Sequence, residues 1–241
     1  MTLQEFFKLH PKAALGFSGG TDSAYLLHAA KEAGADVKPY FVKTVFQPAF
    51  ELADAMQLAP EVTGIDVDIL SAPYVEENPT NRCYHCKKAL FSALKAAAEA
   101  DGYPVLLDGT NASDQWDDRP GMRALEELGV LSPLRMCGLT KDEIRRRSQE
   151  AGLFTWAKPA YACLATRMPA NTKITVENLK KVEISEEILR DLGYSDLRIR
   201  LFYGAARVQL PENQLKQADI FAIREALKPY FDQILLDLEG R

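Results

Sequence analysis

A glycine-rich turn, Gly16-Phe17-Ser18-Gly19-Gly20-Thr21-Asp22-Ser23, holds the residues whose types and spacing best suit chemistry. The apolar run before it, residues 13–17, predicts a buried strand, and residues 24–33 after it predict a helix. A glycine-rich turn between a strand and a helix points backbone N–H groups at a phosphate. Paired glycines also let the backbone come close to an anion, because they have no side chain and adopt positive φ. The sequence therefore predicts a phosphate-binding loop.

The side chains of this loop are hydroxyl donors and one acid. Ser18, Thr21 and Ser23 can donate hydrogen bonds to phosphate oxygens. Asp22 repels phosphate, so it suits the metal ion that accompanies the phosphate, or pyrophosphate release. The loop is not a Walker loop, because no lysine follows its glycines. Its glycine spacing also differs from that of the dinucleotide-binding fingerprint.

The loop resembles the SGGxDS motif of the PP-loop ATP pyrophosphatases, which split ATP between its α and β phosphates and adenylate a substrate. The resemblance implies an adenine nucleotide alpha hydrolase-like fold, with ATP and Mg²⁺ bound at this loop. It implies a catalytic role for Asp22 and assigns pyrophosphate binding to the rest of the motif: Ser18, Gly19, Gly20, Thr21 and Ser23. An ordinary glycine-rich turn is the alternative, which a match over the whole motif disfavours.

Composition narrows the class of protein. The 241 residues are 47% apolar and 26% charged, which is typical of a globular chain of one domain or one domain with a small appendage. The net charge of −5 argues against a nucleic-acid partner. No apolar run is long enough to span a membrane, and residues 1–11 lack the features of a signal peptide. We therefore expect a cytoplasmic protein with neither nucleic acid nor membrane as partner.

Residues 1–169 alternate predicted strands with predicted helices. The strands are expected over residues 37–43, 67–70 and 105–108 in addition to 13–17, and the intervening helices over 24–33, 48–58 and 87–100. This alternation predicts an α/β fold, a doubly wound parallel sheet with helices on both faces. Ligands of such sheets bind at the carboxyl ends of the strands, where the phosphate loop and a second polar turn, Gly109-Thr110-Asn111, both fall.

Residues 170–241 have a different pattern. A helix is expected over residues 176–192, a hairpin from strands 197–202 and 206–210, a helix over 217–227 and a strand over 233–236. These elements predict a small α+β C-terminal domain. Near the end of the first domain, Thr140 and Glu143 have capping-box spacing and predict a helix that ends near Ala151.

The cysteines are more typical of metal binding or catalysis than of disulfides in such a protein. The pair Cys83-Tyr84-His85-Cys86 suits a redox dithiol, half of a zinc site or part of an iron–sulfur site. Cys163 adds a third thiolate, and three thiolates would leave one iron of a four-iron cluster open to an exogenous sulfide. Cys137 is expected to be a small packed residue.

Taken together, the motifs resemble the LarE family of ATP-dependent sulfur transferases, which help to build the nickel-pincer nucleotide cofactor. The resemblance covers nearly the whole chain. Besides the phosphate loop it rests on these segments: Asp108–Asp114, Asp118–Gly121, Ser132–Leu134, Gly138–Lys141, Lys158-Pro159, Ala162–Arg167, Arg198–Arg200 and Ala206-Arg207.

The resemblance implies one of two sulfur sources. In some family members, a cysteine at the position of Cys163 gives up its own sulfur and becomes dehydroalanine. Others bind a [4Fe–4S] cluster through three cysteines, and Cys83, Cys86 and Cys163 match that second group. Cys163 is then both a cluster ligand and a catalytic residue, and the cluster carries a spare sulfide to the substrate.

The resemblance also implies the substrate, a pyridinium-3,5-dicarboxylate mononucleotide whose carboxylates are adenylated and converted to thiocarboxylates. Arg198, Arg200 and Arg207 suit this anion, since guanidinium groups pair with phosphate or carboxylate through two hydrogen bonds. The alternative for these arginines is a solvated strand face. Glu187 is a weaker candidate for substrate binding. The resemblance further implies a homo-oligomer, a sulfide donor and a downstream nickel-insertion protein as partners. Asp114 and Arg119 would shape the site or a subunit contact.

Two other functions stay open at this point. A PP-loop enzyme of tRNA thiolation also combines such a loop with C-x-x-C and a cluster, although the acidic charge disfavours it. A nucleotide-binding module with a structural zinc would need no turnover. Amide synthetases of the same superfamily transfer ammonia and have no use for three thiolates.

Overall fold

The computed structural model describes residues 1–114 and 120–240 and divides the chain into two compact units. The first unit contains Met1–Pro73 and Asn81–Lys158, and the second contains Tyr74–Thr80 and the residues from Pro159 onward. Residues 159–169 thus group with the C-terminal residues, whereas the prediction of domains at 1–169 and 170–241 put them in the first; that domain assignment stays a prediction. In the described ranges, no helix combines the length and apolar character that a membrane crossing requires.

The first unit is built on a parallel sheet of four strands in the order β3-β2-β1-β4. The strands are β1 (Lys12–Gly16), β2 (Asp36–Lys43), β3 (Thr63–Asp66) and β4 (Leu106–Leu107). In the register, Leu15 of β1 lies opposite Pro39 of β2 and Leu107 of β4. The predicted α/β parallel sheet is therefore confirmed.

Seven helices are described in the first unit. They are α1 (Leu3–Leu9), α2 (Thr21–Glu32), α3 (Ala49–Leu58), α4 (Arg82–Ala100), α5 (Pro120–Glu127), α6 (Pro133–Met136) and α7 (Lys141–Glu150). The predicted cap of α7 is confirmed, since the Thr140 side chain accepts a hydrogen bond from the Glu143 N–H. This cap satisfies one of the N–H groups that the first turn of a helix leaves without a partner.

Both faces of the sheet are buried, because successive side chains of a strand point to opposite faces. Leu15 and Phe41 pack into one core with α1, α2 and α7. Ala14 and Tyr40, which precede them in their strands, pack into a second core with α4 and α5. Such two-sided burial explains why β1 is a nearly continuous apolar run and could be recognised in the sequence.

Two details of the prediction are wrong. The third strand is not residues 67–70, because β3 is Thr63–Asp66 and Ile69–Ser71 form a 3₁₀ turn. The apolar residues of the predicted strand misled the prediction: Ile69 is buried in that turn, while the half-exposed edge strand β3 carries little apolar signal. Helix α4 begins at Arg82 and not at Lys87, so the C-x-x-C pair lies in its first turns.

The second unit contains a three-stranded sheet and three helices among its described residues. Strands β5 (Arg198–Phe202) and β6 (Ala205–Gln209) are antiparallel, and β7 (Ile234–Leu236) adds to β6 in parallel. The helices are α8 (Val176–Asp191), α9 (Glu212–Leu215) and α10 (Ile220–Leu227). The hairpin turns at Tyr203 and Gly204, both with positive φ. The predicted α+β character of this part is confirmed.

The segment Tyr74–Thr80 joins the second unit by hydrogen bonds to residues far along the chain. The Asn78 side chain donates to the Pro169 carbonyl at 2.6 Å, and the Asn78 carbonyl accepts from the Asn171 N–H at 2.7 Å. The Glu76 carbonyl accepts from the Ile174 N–H at 2.8 Å. Backbone pairing of this kind fixes the segment in place.

Candidate functional site

The phosphate loop sits at the carboxyl end of β1, as the sequence predicts. Gly19 has φ +69°, and a Cβ at this position would lie 2.9 Å from the Ala55 backbone nitrogen, so the loop requires glycine here. Gly20 is the N-cap of α2, which begins at Thr21. Because glycine has no side chain to cap the helix, the first-turn N–H groups remain open to an anion.

The loop hydroxyls have two different environments. Ser18 Oγ and Ser23 Oγ lie 3.2 Å apart, and Ser23 Oγ donates to the Gly20 carbonyl at 3.2 Å. Thr21 Oγ1 instead donates to the Thr155 carbonyl at 2.7 Å and is buried. Ser18 and Ser23 are thus placed together at the loop, whereas Thr21 ties the loop to residues 154–157.

Asp22 forms an ion pair that sequence reasoning missed. Lys141 Nζ lies 2.9 Å from Asp22 Oδ1 and 2.8 Å from Oδ2, and both side chains remain about a quarter exposed. Lys141 opens α7, and its backbone N–H donates to Ser113 Oγ at 3.0 Å. The loop without a Walker lysine therefore receives a cation from a distant segment. The Thr140 cap locates Lys141 at a helix start, but nothing in the sequence pairs it with Asp22.

The second polar turn packs against the phosphate loop. A Cβ on Gly109 would lie 3.2 Å from the Ser23 backbone nitrogen, so this glycine permits a close approach. Asp108 accepts hydrogen bonds from Ser132 Oγ at 2.6 Å and from the Thr110 N–H at 3.2 Å. The Asp114 carboxylate accepts from the Asn111 N–H at 3.0 Å. These motif residues thus bind one another. Arg119 and Asp118 lie outside the described residues.

A cavity of about 150 Å³ opens beside the phosphate loop. Its lining combines the end of β1, the C-terminal half of β2 and apolar side chains of α4, with Ser18, Gln47 and Glu51 as polar residues. The cavity lies at the carboxyl edge of the sheet, where ligands of parallel α/β folds bind. An apolar slot next to a phosphate loop suits a nucleoside whose phosphates extend into the loop.

The C-x-x-C pair lies at the start of α4. Cys83 is exposed, Cys86 is buried, and an Arg82 guanidinium nitrogen lies 3.9 Å from Cys83 Sγ. Residues three apart in a helix share a face, so Cys83 and Cys86 lie on the same side of α4. The donor set therefore fits an iron–sulfur cluster or zinc. Cys137 differs, because burial raises the pKa of its thiol, in keeping with its predicted role as a packed residue.

Cys163 precedes a 3₁₀ turn, Leu164–Arg167, that is anchored by a buried ion pair. Arg167 Nε lies 2.8 Å from Glu186 Oε1, and both side chains are at most 1% exposed. Arg167 also donates to the Ala162 carbonyl at 2.7 Å, so the pair fixes the backbone beside Cys163. The Tyr161 hydroxyl donates to Glu186 at 2.7 Å, and burial raises the pKa of Tyr161. Glu187, the predicted residue, is exposed.

The three predicted arginines lie on the hairpin of the second unit. Arg200 and Arg207 are directly opposite each other on β5 and β6. Arg200 donates to the Thr166 carbonyl at 2.5 Å, and Arg207 lies 2.7 Å from Asp237. Arg198 is only 3% exposed, and it donates to the Leu197 and Ala160 carbonyls at 2.7 and 2.6 Å. The solvated-face alternative therefore does not describe Arg198.

The three cysteines proposed as cluster ligands divide between the units. Cys83 and Cys86 belong to the first unit and Cys163 to the second. Within the described residues of either unit, no three His, Cys, Asp or Glu side chains are grouped as metal ligands. The three-cysteine set stays a prediction.

The fold and the glycine-rich loop define the chain as a PP-loop α/β protein. No family model matches it. A tRNA-specific 2-thiouridylase of Thermotoga petrophila is 23% identical over 59% of this chain and 52% of its own. An uncharacterized protein of Synechocystis is 35% identical over 99% of this chain and 92% of its own.

A third comparison identifies the family. The pyridinium-3,5-bisthiocarboxylic acid mononucleotide synthase of Lactiplantibacillus plantarum is 32% identical over 99% of this chain and 90% of its own. The chain therefore belongs to the LarE family, the family of that synthase.

Proposed function

We propose that this protein is an ATP-dependent sulfur transferase that converts carboxylates of a pyridinium-3,5-dicarboxylate mononucleotide to thiocarboxylates. The family membership supports the sulfur transfer and the substrate. The phosphate loop carries the dependence on ATP, because an open helix N-terminus behind two glycines is suited to the pyrophosphate of a nucleotide.

The first step is activation of the carboxylate. A carboxylate oxygen attacks the α-phosphorus of ATP, the bond to the β-phosphate oxygen breaks, and pyrophosphate leaves with its electron pair. The Ser18–Ser23 hydroxyls and the first-turn N–H groups of α2 stabilise the departing pyrophosphate. Asp22 would hold Mg²⁺, an ion that prefers carboxylate oxygen ligands. Lys141, released from Asp22, then neutralises charge on the phosphates.

The second step replaces oxygen with sulfur. Sulfide adds to the adenylated carbonyl carbon, AMP leaves with the former carboxylate oxygen, and a thiocarboxylate remains. Two rounds give the dithio product. We propose that Cys83, Cys86 and Cys163 hold a [4Fe–4S] cluster, which when bound supplies a sulfide at its iron without a protein ligand. Arg167 and Glu186 keep the Cys163 backbone in place for this role.

The substrate phosphate is assigned to the hairpin arginines. Arg200 and Arg207 face each other across β5 and β6, and like charges directly opposite each other repel. An anion between the guanidinium groups would relieve that repulsion and accept hydrogen bonds from both. Arg198, held by two carbonyl oxygens, would orient the neighbouring Tyr161 and Ala160 backbone. Glu187 stays a candidate at the surface. We also propose a homo-oligomer, an external sulfide donor and a downstream nickel-insertion protein as partners.

The test is product formation by the anaerobically purified protein. Incubated with Mg·ATP, sulfide and the pyridinium dicarboxylate mononucleotide, it should release pyrophosphate and AMP and give a product heavier by the replacement of oxygen with sulfur. If the protein released no pyrophosphate and formed no heavier product, the proposal would be overturned. Iron and acid-labile sulfide should be about four per chain and be lost in Cys163→Ala. Zinc in place of iron would overturn the cluster, and a mass loss of one sulfur at Cys163 would indicate a sacrificial cysteine.

The tRNA-thiolating relative gives the second candidate function. A gel shift with unmodified tRNA separates the two, since a tRNA enzyme must bind tRNA in the absence of the pyridinium substrate. We expect no shift, because the net charge of −5 opposes binding to a polyanion.

A further inference from the structure

A second lysine–aspartate pair lies beside the phosphate loop. Lys158 is ion-paired with Asp54 of α3, and the two side chains are 20% and 25% exposed. The Lys158 ammonium also lies 5.4 Å from the centre of the Phe50 ring. The neighbour of Asp54 in the chain, Ala55, is the residue whose backbone nitrogen the loop glycine Gly19 approaches. Asp54 is therefore adjacent in the chain to a residue that the phosphate loop closely approaches.

The segment that ends in Lys158 is itself fixed to the loop. Thr155, three residues before Lys158, accepts the hydrogen bond of the loop hydroxyl Thr21 at 2.7 Å. From α7, Arg145 donates to the carbonyls of Trp156 and Lys158, both at 2.9 Å. Three of the four backbone carbonyls in residues 155–158 thus accept hydrogen bonds from side chains. These bonds fix the backbone that carries the Lys158 side chain.

The charges around the loop call for this cation. Glu51 lines the cavity, Asp22 belongs to the loop, and Asp54 is next in the chain to the residue that the loop glycine approaches. Each of these carboxylates would repel a nucleoside triphosphate. Lys141 is paired with Asp22, and Lys158 is paired with Asp54. Because Lys158 is partly exposed, an incoming phosphate can replace Asp54 as its partner without leaving a charge buried and unsolvated.

We propose that Lys158 is a nucleotide-contacting residue: it leaves Asp54 and binds a phosphate oxygen of ATP next to the glycine-rich loop. The inference rests on the proposed binding of ATP and adds a second cation to it. Asp54 is the resting partner of Lys158 and competes with the phosphate. No bond forms or breaks in this exchange, because only ionic partners change.

The experiment measures binding of Mg·ATP and of inorganic pyrophosphate to the full chain by calorimetry, in the absence of the pyridinium substrate. The variants are Lys158→Met, Lys158→Arg and Asp54→Asn. The control is Lys31→Met, which breaks an ion pair of the same kind at the far end of α2, where Lys31 and Glu61 lie 2.6 Å apart and about half exposed.

The proposal predicts that the two halves of the pair behave differently. Lys158→Met should weaken binding of both probes about tenfold or more, since a lost phosphate contact of about 1.4 kcal/mol is a factor of ten. Lys158→Arg should retain most of the affinity. Asp54→Asn should bind at least as tightly as the unchanged protein, because it removes a competitor and a repelling charge. Lys31→Met should bind normally.

A purely structural pair predicts the opposite pattern. Asp54→Asn and Lys158→Met remove the same ion pair, so they would then lower thermal stability and affinity equally, and this result would overturn the proposal. Affinity within twofold of normal in Lys158→Met would overturn it as well. Either of these two results would leave the proposed function intact, provided that the unchanged protein binds Mg·ATP. Failure of the unchanged protein to bind Mg·ATP would overturn both.

Discussion

The phosphate loop and the loop that carries Cys163 are both held by ion pairs, but the two sets of pairs differ in burial. At the phosphate loop, Lys141–Asp22 and Lys158–Asp54 are 20–29% exposed. At the cysteine loop, Arg167 and Glu186 are at most 1% exposed, and Glu186 also accepts hydrogen bonds from Tyr161 and from the Ile199 N–H.

This difference separates ion pairs that can exchange partners from an ion pair that cannot. A partly exposed lysine can move to a phosphate while its aspartate turns to water or Mg²⁺, at a small cost in free energy. Separating a fully buried pair leaves a charge in a medium that cannot solvate it. The first arrangement suits a site that binds and releases a nucleotide, and the second suits a backbone that must hold a cysteine in one position.

Loss of the buried pair should have the largest effect on stability. Glu186→Gln leaves the Arg167 guanidinium buried without its counter-charge, so the free energy of unfolding should fall by about 3–5 kcal/mol in urea denaturation. The matched control is Glu187→Gln, at the exposed neighbouring position, which should change stability by less than about 0.5 kcal/mol. Equal effects in the two variants would refute the distinction between the loops.

Gly19→Ala should be the next most damaging change. The methyl group must be placed at positive φ and also within 2.9 Å of the Ala55 nitrogen, so both strain and a clash result. Gly34→Ala isolates the strain, since Gly34 has φ +71° with nothing within 4 Å of the added carbon, and it should cost about 1–2 kcal/mol. Gly19→Ala should cost more and also abolish ATP binding. A Gly19→Ala protein that binds ATP normally would contradict the close approach.

Lys141→Met should lower activity much more than it lowers stability. Because its ion pair is partly exposed, stability should fall by about 0–1 kcal/mol. Pyrophosphate release with ATP and substrate should fall at least tenfold, since the charge on the phosphates is then uncompensated. Urea denaturation and a pyrophosphate assay give the two quantities. A large loss of stability with normal turnover would place Lys141 with the structural pairs.

The smallest effect is expected from the surface ion pairs of Glu143 in α7. Hydrogen bonds from Arg146 and then Arg147 lower the pKa of Glu143 from 4.5 to about 2. A carboxyl group whose pKa is lowered by folding contributes stability above pH 4.5, and this contribution is lost as the pH falls through about 2. Glu143→Gln should therefore differ from the unchanged protein slightly at pH 6 and not below pH 2. An NMR titration of Glu143 near 4.5 would contradict the ion pairs.

Regular patterns made most of the fold predictable. Strand β1 is an uninterrupted apolar run because both of its faces are buried, and the hairpin of β5 and β6 shows the alternation typical of strands. Thr140 located the start of α7 through its capping chemistry. Edge strand β3 was missed because its half-exposed residues carry little apolar signal.

Candidate site residues could be predicted only where they are close together in the sequence. The phosphate loop is contiguous, so its glycines and hydroxyls were identified together. The partners of Asp22 and Glu186 were not, because Lys141 is 119 positions from Asp22 and Arg167 is 19 from Glu186. The sequence pointed to Glu187 and not to Glu186, since which side of α8 faces inward depends on packing against β5 and the Cys163 loop.

The short segment Tyr74–Thr80 has a consequence for how the chain is made. Its Asn78 side chain bonds to Pro169, 91 positions later, so the segment emerges from the ribosome long before its partners. The second unit therefore cannot complete folding during synthesis of the first, and closing so long a loop is entropically costly. A fragment that begins at Pro159 would lack the carbonyls of Glu76 and Asn78 that its own N–H groups need. Expression of that fragment alone should give a protein that folds poorly.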